Sequence, residues 1–198
     1  MDIIPPNVLL EAYSTGIFPM AEHRYDDSFN WYTARRRGII PLQDFKVNSN
    51  TRRLIRNNRY AISIDQHFKE VMLACADRPQ TWISDRIINS YQQLHEMGHA
   101  HSVEVHSREN GELVGGLYGV SLQAAFFGES MFNEERETSK IALYYCHKAL
   151  VEGGFQLWDT QFYTEHLAQF GCKEIPADHY QFLLEKAMES EAQFNGKT

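Results

Sequence analysis

The apolar positions of this chain change period several times, and each change marks an element. Val8, Leu9, Leu10, Ala12 and Tyr13 follow helical spacing, with Asn7 placed to cap the start and Gly16 to end it. Ile17-Phe18-Pro19-Met20 is an apolar corner whose proline is expected to block helix and sheet pairing alike. An aromatic cluster follows (Phe29, Trp31, Tyr32), then Arg35-Arg36-Arg37-Gly38 and Ile39-Ile40-Pro41. Tyr60 to Ile64 alternates, which predicts a strand. Helical spacing returns over Gln66 to Ala76, and again from a cap at Ser84 or Asp85 to a stop at Gly98. A meander is expected next. Its strands run over Ala100–His106, Leu113–Val120 and Leu122–Glu129, with Asn110-Gly111 as the first hairpin turn. The remainder reads as a helix over Ser139–Glu152 ended by Gly153-Gly154, a strand over Phe155–Gln161, a short helix over His166–Phe170, and a last helix from Asp178 to about Met188. Strands flanked by helices around one core give an α+β fold with a mixed sheet.

Composition narrows the classes. At 198 residues the chain fits one main core with room for a small appendage. No run of roughly 20 apolar residues is present, and the start lacks a basic region followed by an apolar stretch, so a cytoplasmic protein without membrane contact is expected. A net charge of -7 argues against a general nucleic-acid binder, yet leaves room for a local basic patch. Such a patch exists. Arg52, Arg56 and Arg59 follow i, i+4, i+7 spacing, Arg53 adjoins them, and Arg35, Arg36 and Arg37 lie nearby. They read equally as a solvated face or as a phosphate-contacting one. Cys75, Cys146 and Cys172 are far apart and read as buried thiols.

His95-Glu96-Met97-Gly98-His99 fits the His-Glu-x-x-His zinc pattern, which would give a zinc-dependent hydrolase. That chemistry needs both imidazoles on one helical face. Gly98 is expected to end the helix, so His99 lies past it, and the histidines read as helix-end and strand-edge residues. The element order also matches a GNAT-like acyltransferase layout. An acetyl-CoA enzyme is disfavoured, because acidic Glu134-Glu135-Arg136-Glu137 stands where a pyrophosphate loop belongs. A non-catalytic GNAT-like module is a further reading.

Several segments together resemble one family, the leucyl/phenylalanyl-tRNA–protein transferases. They are Leu9–Pro19, Thr81-Trp82-Ile83, Tyr91–Val105, Leu113–Val120, Phe127–Phe132, Ser139-Lys140, Asp159-Thr160-Gln161, His166-Leu167, Gly171 and Ile175-Pro176. The resemblance implies transfer of leucine or phenylalanine, with methionine as a further donor, from aminoacyl-tRNA to proteins beginning with Arg or Lys. The product is a destabilising N-terminus in an N-degron pathway. It implies a small N-terminal lobe, here shortened to residues 1–37, and a GNAT-like catalytic domain over 38–198. No cofactor or metal is implied.

By the same resemblance Asp159 and Gln161 are the catalytic pair, and period 2 would send both side chains to one face of their strand. Glu129 meets the cationic acceptor. Leu117, Phe126, Leu143, Cys146 and Trp158 are expected to line the side-chain pocket. Trp82 stacks on the terminal adenine, Met20 stands where an aromatic is usual, and the seven arginines contact tRNA phosphates. Cys146 and Trp158 also depart from the family pattern, so the pocket's shape is expected to differ.

Overall fold

The computed structural model describes residues 3–194. In chain order the elements are α1 (Pro6–Ser14), β1 (Phe18–Met20), β2 (Asn30–Tyr32), β3 (Arg36–Ile39), α2 (Ser49–Arg56), β4 (Tyr60–Ile64), α3 (Phe68–Ala76), α4 (Asp85–Glu96), β5 (Ala100–Ser107), β6 (Leu113–Leu122), β7 (Ala125–Asn133), α5 (Thr138–Glu152), β8 (Leu157–Gln161), α6 (Glu165–Ala168), β9 (Lys173–Pro176) and α7 (Ala177–Met188). Seven strands form one sheet in the order β4-β5-β6-β7-β8-β3-β9, while β1 and β2 form a separate ribbon. Every pairing in the large sheet is antiparallel except β7 with β8.

Helices cover both faces, as a sheet that is apolar on each side requires. One core joins α1, α3, α4 and α7 through Leu9, Tyr13, Val71, Met72, Ile87, Tyr91 and Leu184. The other joins the opposite sheet face to α5, through Val103, Val105, Phe126, Ile141, Cys146 and Leu150, with Leu54 and Ile55 of α2 against it. Element spacing explains this: the apolar positions of α3 and α4 recur every three to four residues and bury one stripe each.

Four expectations change. The N-cap of α1 is Pro5 with Pro6 in the first turn, not Asn7, because a proline there loses no helical bond. Pro19 does pair, with Trp31, which a two-stranded ribbon tolerates because both strands have a free edge. The chain turns at Gln123-Ala124, so Leu122 ends β6 and β7 runs on to Asn133. Strands β3 and β9 carry charged residues and pair with each other, a pattern that reads locally as loop. Residue 37, the end of the expected lobe, lies inside β3.

Candidate active site

β7 and β8 run side by side only from Ala125, Phe126 and Phe127, opposite Leu157, Trp158 and Asp159. Beyond that they part. β7 is deflected by a register shift against β6: Gly119 faces Gly128 but Tyr118 faces Ser130, so Glu129 is the extra residue of a bulge. β8 ends at Gln161, whose φ of 55° lies in the left-handed region that a non-glycine side chain rarely adopts. Between the parted strands opens a cleft of about 300 Å³.

The left-handed turn is held by Asp159. Its carboxylate accepts from the Gln161 backbone N–H at 2.7 Å. The same carboxylate accepts from Arg37 Nε at 2.9 and 3.1 Å and from Arg37 Nη2 at 2.7 Å. Tyr180 O–H donates to it at 2.6 Å. Arg37 spends Nη1 on the Gly16 carbonyl at 2.8 Å and lies over the rings of Phe18 and Tyr180. Burial opposes the Arg37 charge, yet Asp159 more than offsets it and holds the guanidinium above its ordinary pKa. Burial, then the Asp159 charge, push the Tyr180 phenol up.

β3 can approach this closely because of Gly38, where a Cβ would stand 2.6 Å from the Phe162 backbone.

Three expectations bear on this wall. Asp159 is fully buried and does not line the cleft; its carboxylate is taken up by Arg37, Tyr180 and the Gln161 backbone. Gln161 lines the cleft and Asp159 does not, because the left-handed φ at Gln161 departs from the extended backbone that would send both side chains to one face. Arg37 is not a phosphate contact: it is fully buried and paired to Asp159.

Glu129 is the opposite case. It stands on the cleft wall, half-buried, and accepts from Tyr13 O–H at 2.7 Å and Gln161 Nε2 at 2.9 Å. Tyr13 is in turn bonded to Tyr91. No cation is paired to Glu129 among the described residues. Burial raises its carboxyl to about 8, despite the hydrogen bond from Tyr13. Burial, and next the Glu129 charge, push Tyr13 and Tyr91 up, so both remain hydrogen-bond donors.

The cleft wall brings together Glu129, Gln161, Trp82, Met20, Leu117, Phe126, Leu143 and Trp158. Cys146 is not on it: one turn along α5 from Leu143, it is fully buried in the core, and burial pushes its thiol up. Phe18, Phe162 and Leu167 also line the cleft; Phe18 and Leu167 lie in segments that carry the family resemblance, whereas Phe162 has no sequence signal to mark it. Tyr13 and Tyr180 lie 116 and 21 residues from the carboxylates they bond, so local spacing held no trace of either.

The remaining arginines do not line the cleft. Arg36 pairs with Glu174 on the surface. Arg52, Arg53 and Arg56 are exposed on α2, Arg52 donating to the Val47 carbonyl, and Arg35 is exposed. Arg59 is past the end of that helix and pairs with Glu135 at 2.9 Å, so it does not continue the helical face.

The His-Glu-x-x-His segment breaks where expected. α4 ends at Glu96, Gly98 has φ 79°, and His99 lies beyond the helix. His95 Nδ1 lies 2.8 Å from the Ala100 carbonyl and its ring stacks on Phe68. His99 Nδ1 lies 3.3 Å from the Ser121 carbonyl instead. Among the described residues no group of three or more His, Cys, Asp or Glu is spaced to hold a metal ion. At the start of α5, Glu137 accepts from Lys140 and Thr51, so the chain supplies its own anion to that helix end.

Comparisons with known proteins agree with this architecture. FemX, a solved structure, shares the fold: TM-score 0.57 at 13% identity, over 86% of this chain and 66% of that one. The chain is 49% identical to the leucyl/phenylalanyl-tRNA–protein transferase of Ruegeria pomeroyi over 96% of its length and 90% of the relative's. To that of Rhodopseudomonas palustris strain BisB18 it is 50% identical, over 96% and 84%. The family description "leucyl/phenylalanyl-tRNA protein transferase N-terminal domain" matches residues 2–35, and "leucyl/phenylalanyl-tRNA protein transferase" matches 39–185. With a GNAT-like fold and these matches along nearly its whole length, the chain belongs to the leucyl/phenylalanyl-tRNA–protein transferase family.

Proposed function

We propose that the chain transfers leucine or phenylalanine, with methionine as a further donor, from aminoacyl-tRNA to the N-terminal Arg or Lys of a protein in the cytoplasm. The product carries an N-degron. The observation that carries this reading is a half-buried carboxylate with no direct ion pair among the described residues, Glu129, bonded to Gln161 at the end of an apolar cleft.

The bond to be broken is an activated ester, so no covalent nucleophile, metal or cofactor is needed. The acceptor's α-amine must lose a proton, attack the ester carbonyl carbon, and expel the ribose oxygen, which leaves with a proton. Burial pushes the Glu129 carboxyl up to about 8. An α-amino group titrates at roughly 7.7–8.0, so the proton passes between them at little cost. As a carboxylate, Glu129 also holds the cationic acceptor end. Gln161 carries two side-chain N–H donors, one of them on Glu129. The second is free to meet the oxyanion that forms on attack. Leu117, Phe126, Leu143 and Trp158 offer an apolar surface for the transferred side chain.

Trp82 and Met20 stand at the donor end, Trp82 as the adenine platform. Residues 1–37 are proposed to close that end as a lobe, through Phe18 and Met20. Arg35, Arg36, Arg52, Arg53, Arg56 and Arg59 hold tRNA phosphates without reading sequence. The test is transfer of labelled leucine from leucyl-tRNA to an Arg-start peptide by the purified chain. Incorporation is expected; none would end the reading.

A further inference from the structure

A second cavity, of about 690 Å³, adjoins the cleft, and nothing in the proposed reaction uses it. Two chain segments run from one cavity to the other. Met20 lines the cleft and His23, Arg24 and Tyr25 line the second cavity; Trp82 lines the cleft and Thr81 the second cavity. The Ala21 N–H donates to the Trp82 carbonyl at 3.1 Å, tying the segments together. Arg78 lines both cavities.

The charges at this junction are unequal. Arg24 is matched by Asp85 at 2.7 Å, and Asp77 is the one acid on the second cavity's wall. Arg78 donates to Ser130 Oγ at 3.2 Å and to the Met131 carbonyl, both neutral acceptors. Its guanidinium therefore presents a positive charge where the cavities meet. Beside it the Tyr25 ring is 86% exposed, an apolar face with nothing packed on it.

We propose that the second cavity binds the single-stranded nucleotides just upstream of the terminal adenosine of the donor tRNA. Arg78 takes the phosphodiester that joins them to that adenosine, and Tyr25 stacks on an upstream base. The inference rests on the reading that the cleft receives the aminoacyl-adenosine at Trp82. Consecutive nucleotides then follow consecutive protein residues: the terminal one at Trp82, the next past Thr81. A phosphate wants a cation that is not already neutralised, and Arg78 is that group. A base accepts any flat π-face, which suits a position held without sequence choice.

The experiment compares two donors, leucyl-tRNA and leucyl-adenosine, with one Arg-start peptide. The minimal donor lacks the upstream phosphate and bases. The quantity read is the ratio of kcat/KM values for the two donors. Arg78→Gln is expected to lower that ratio at least tenfold, and Arg78→Lys to restore most of it. Tyr25→Ala, at an exposed ring whose loss leaves no cavity, is expected to lower the ratio about fivefold, near the low end of a stacking contact. It serves if Arg78→Gln does not fold. An unchanged ratio in both folded variants overturns the proposal. So does an equal loss on both donors, which would place Arg78 in the cleft's own chemistry. Failure of the wild type with leucyl-tRNA counts against the transferase reading instead, so the two failures are distinguishable.

Discussion

A carboxylate stands on each side of the cleft, one on its wall and one buried behind it, and the two do opposite things. On the β8 side Asp159 is fully buried and spends both oxygens on Arg37, Tyr180 and the Gln161 backbone. On the β7 side Glu129 faces the cleft, makes no direct ion pair among the described residues, and is pushed up to about 8 by burial. What separates them is partners rather than residue type. A carboxylate locked to a buried arginine shapes its surroundings, whereas one left without a cation is available to a charged substrate.

The largest effect expected from breaking this contrast is on the buried side. Asp159→Asn leaves Arg37 charged and unpaired, which costs about 3–5 kcal/mol. In a domain of this size that lowers Tm by about 10 °C. Because the Gln161 turn loses its anchor, transfer should fall as well. A melting curve and a transfer assay on one preparation check both. An unchanged Tm would show that the Arg37 pair is not structural.

Glu129→Gln is the counterpart on the open side. Transfer to an Arg-start peptide should fall about 100-fold, the range for loss of a proton-handling group. Tm at pH 8 should hold or rise, since no buried cation is abandoned. A fall in Tm like that of Asp159→Asn would erase the contrast.

A pH series sharpens it further. The folded chain keeps the Glu129 proton up to about 8, against an ordinary 4.5. Between those values the folded state binds the extra proton, so stability falls as pH rises and levels off above about 8. Measured as wild type minus Glu129→Gln, the difference in unfolding free energy should therefore decline across that window. A flat difference would mean that Glu129 ionises normally.

The smallest expected effect lies away from both walls. Neutralising Arg53 and Arg56 together should leave Tm unchanged. It should reduce the salt slope of tRNA binding by about 2, if each meets one phosphate. An unchanged slope would remove α2 from the donor surface.

Much of the fold was legible because α3, α4, α5 and the β5–β6 hairpin announce themselves by period and by an Asn-Gly turn. Strands β3 and β9 did not, since Arg36–Ile39 and Lys173–Pro176 are short, charged, and paired with distant partners. The sequence groups Leu117, Phe126, Leu143 and Cys146 in one apolar pocket; the first three line the cleft, whereas Cys146 turns into the core. Arg37 was the least legible residue. In sequence it is the third of three arginines and reads as surface charge; in space it is 122 residues from the carboxylate that explains it.

In the proposed mechanism Glu129, not Asp159, meets the acceptor's positive charge. The most direct test is a preference ratio: kcat/KM for an Arg-start peptide over the same peptide starting with citrulline, which has the shape but no charge. Wild type should prefer arginine at least tenfold, in line with a charge-assisted hydrogen bond. Glu129→Gln should bring the ratio close to one. A ratio that stays at the wild-type value in Glu129→Gln would contradict the claim.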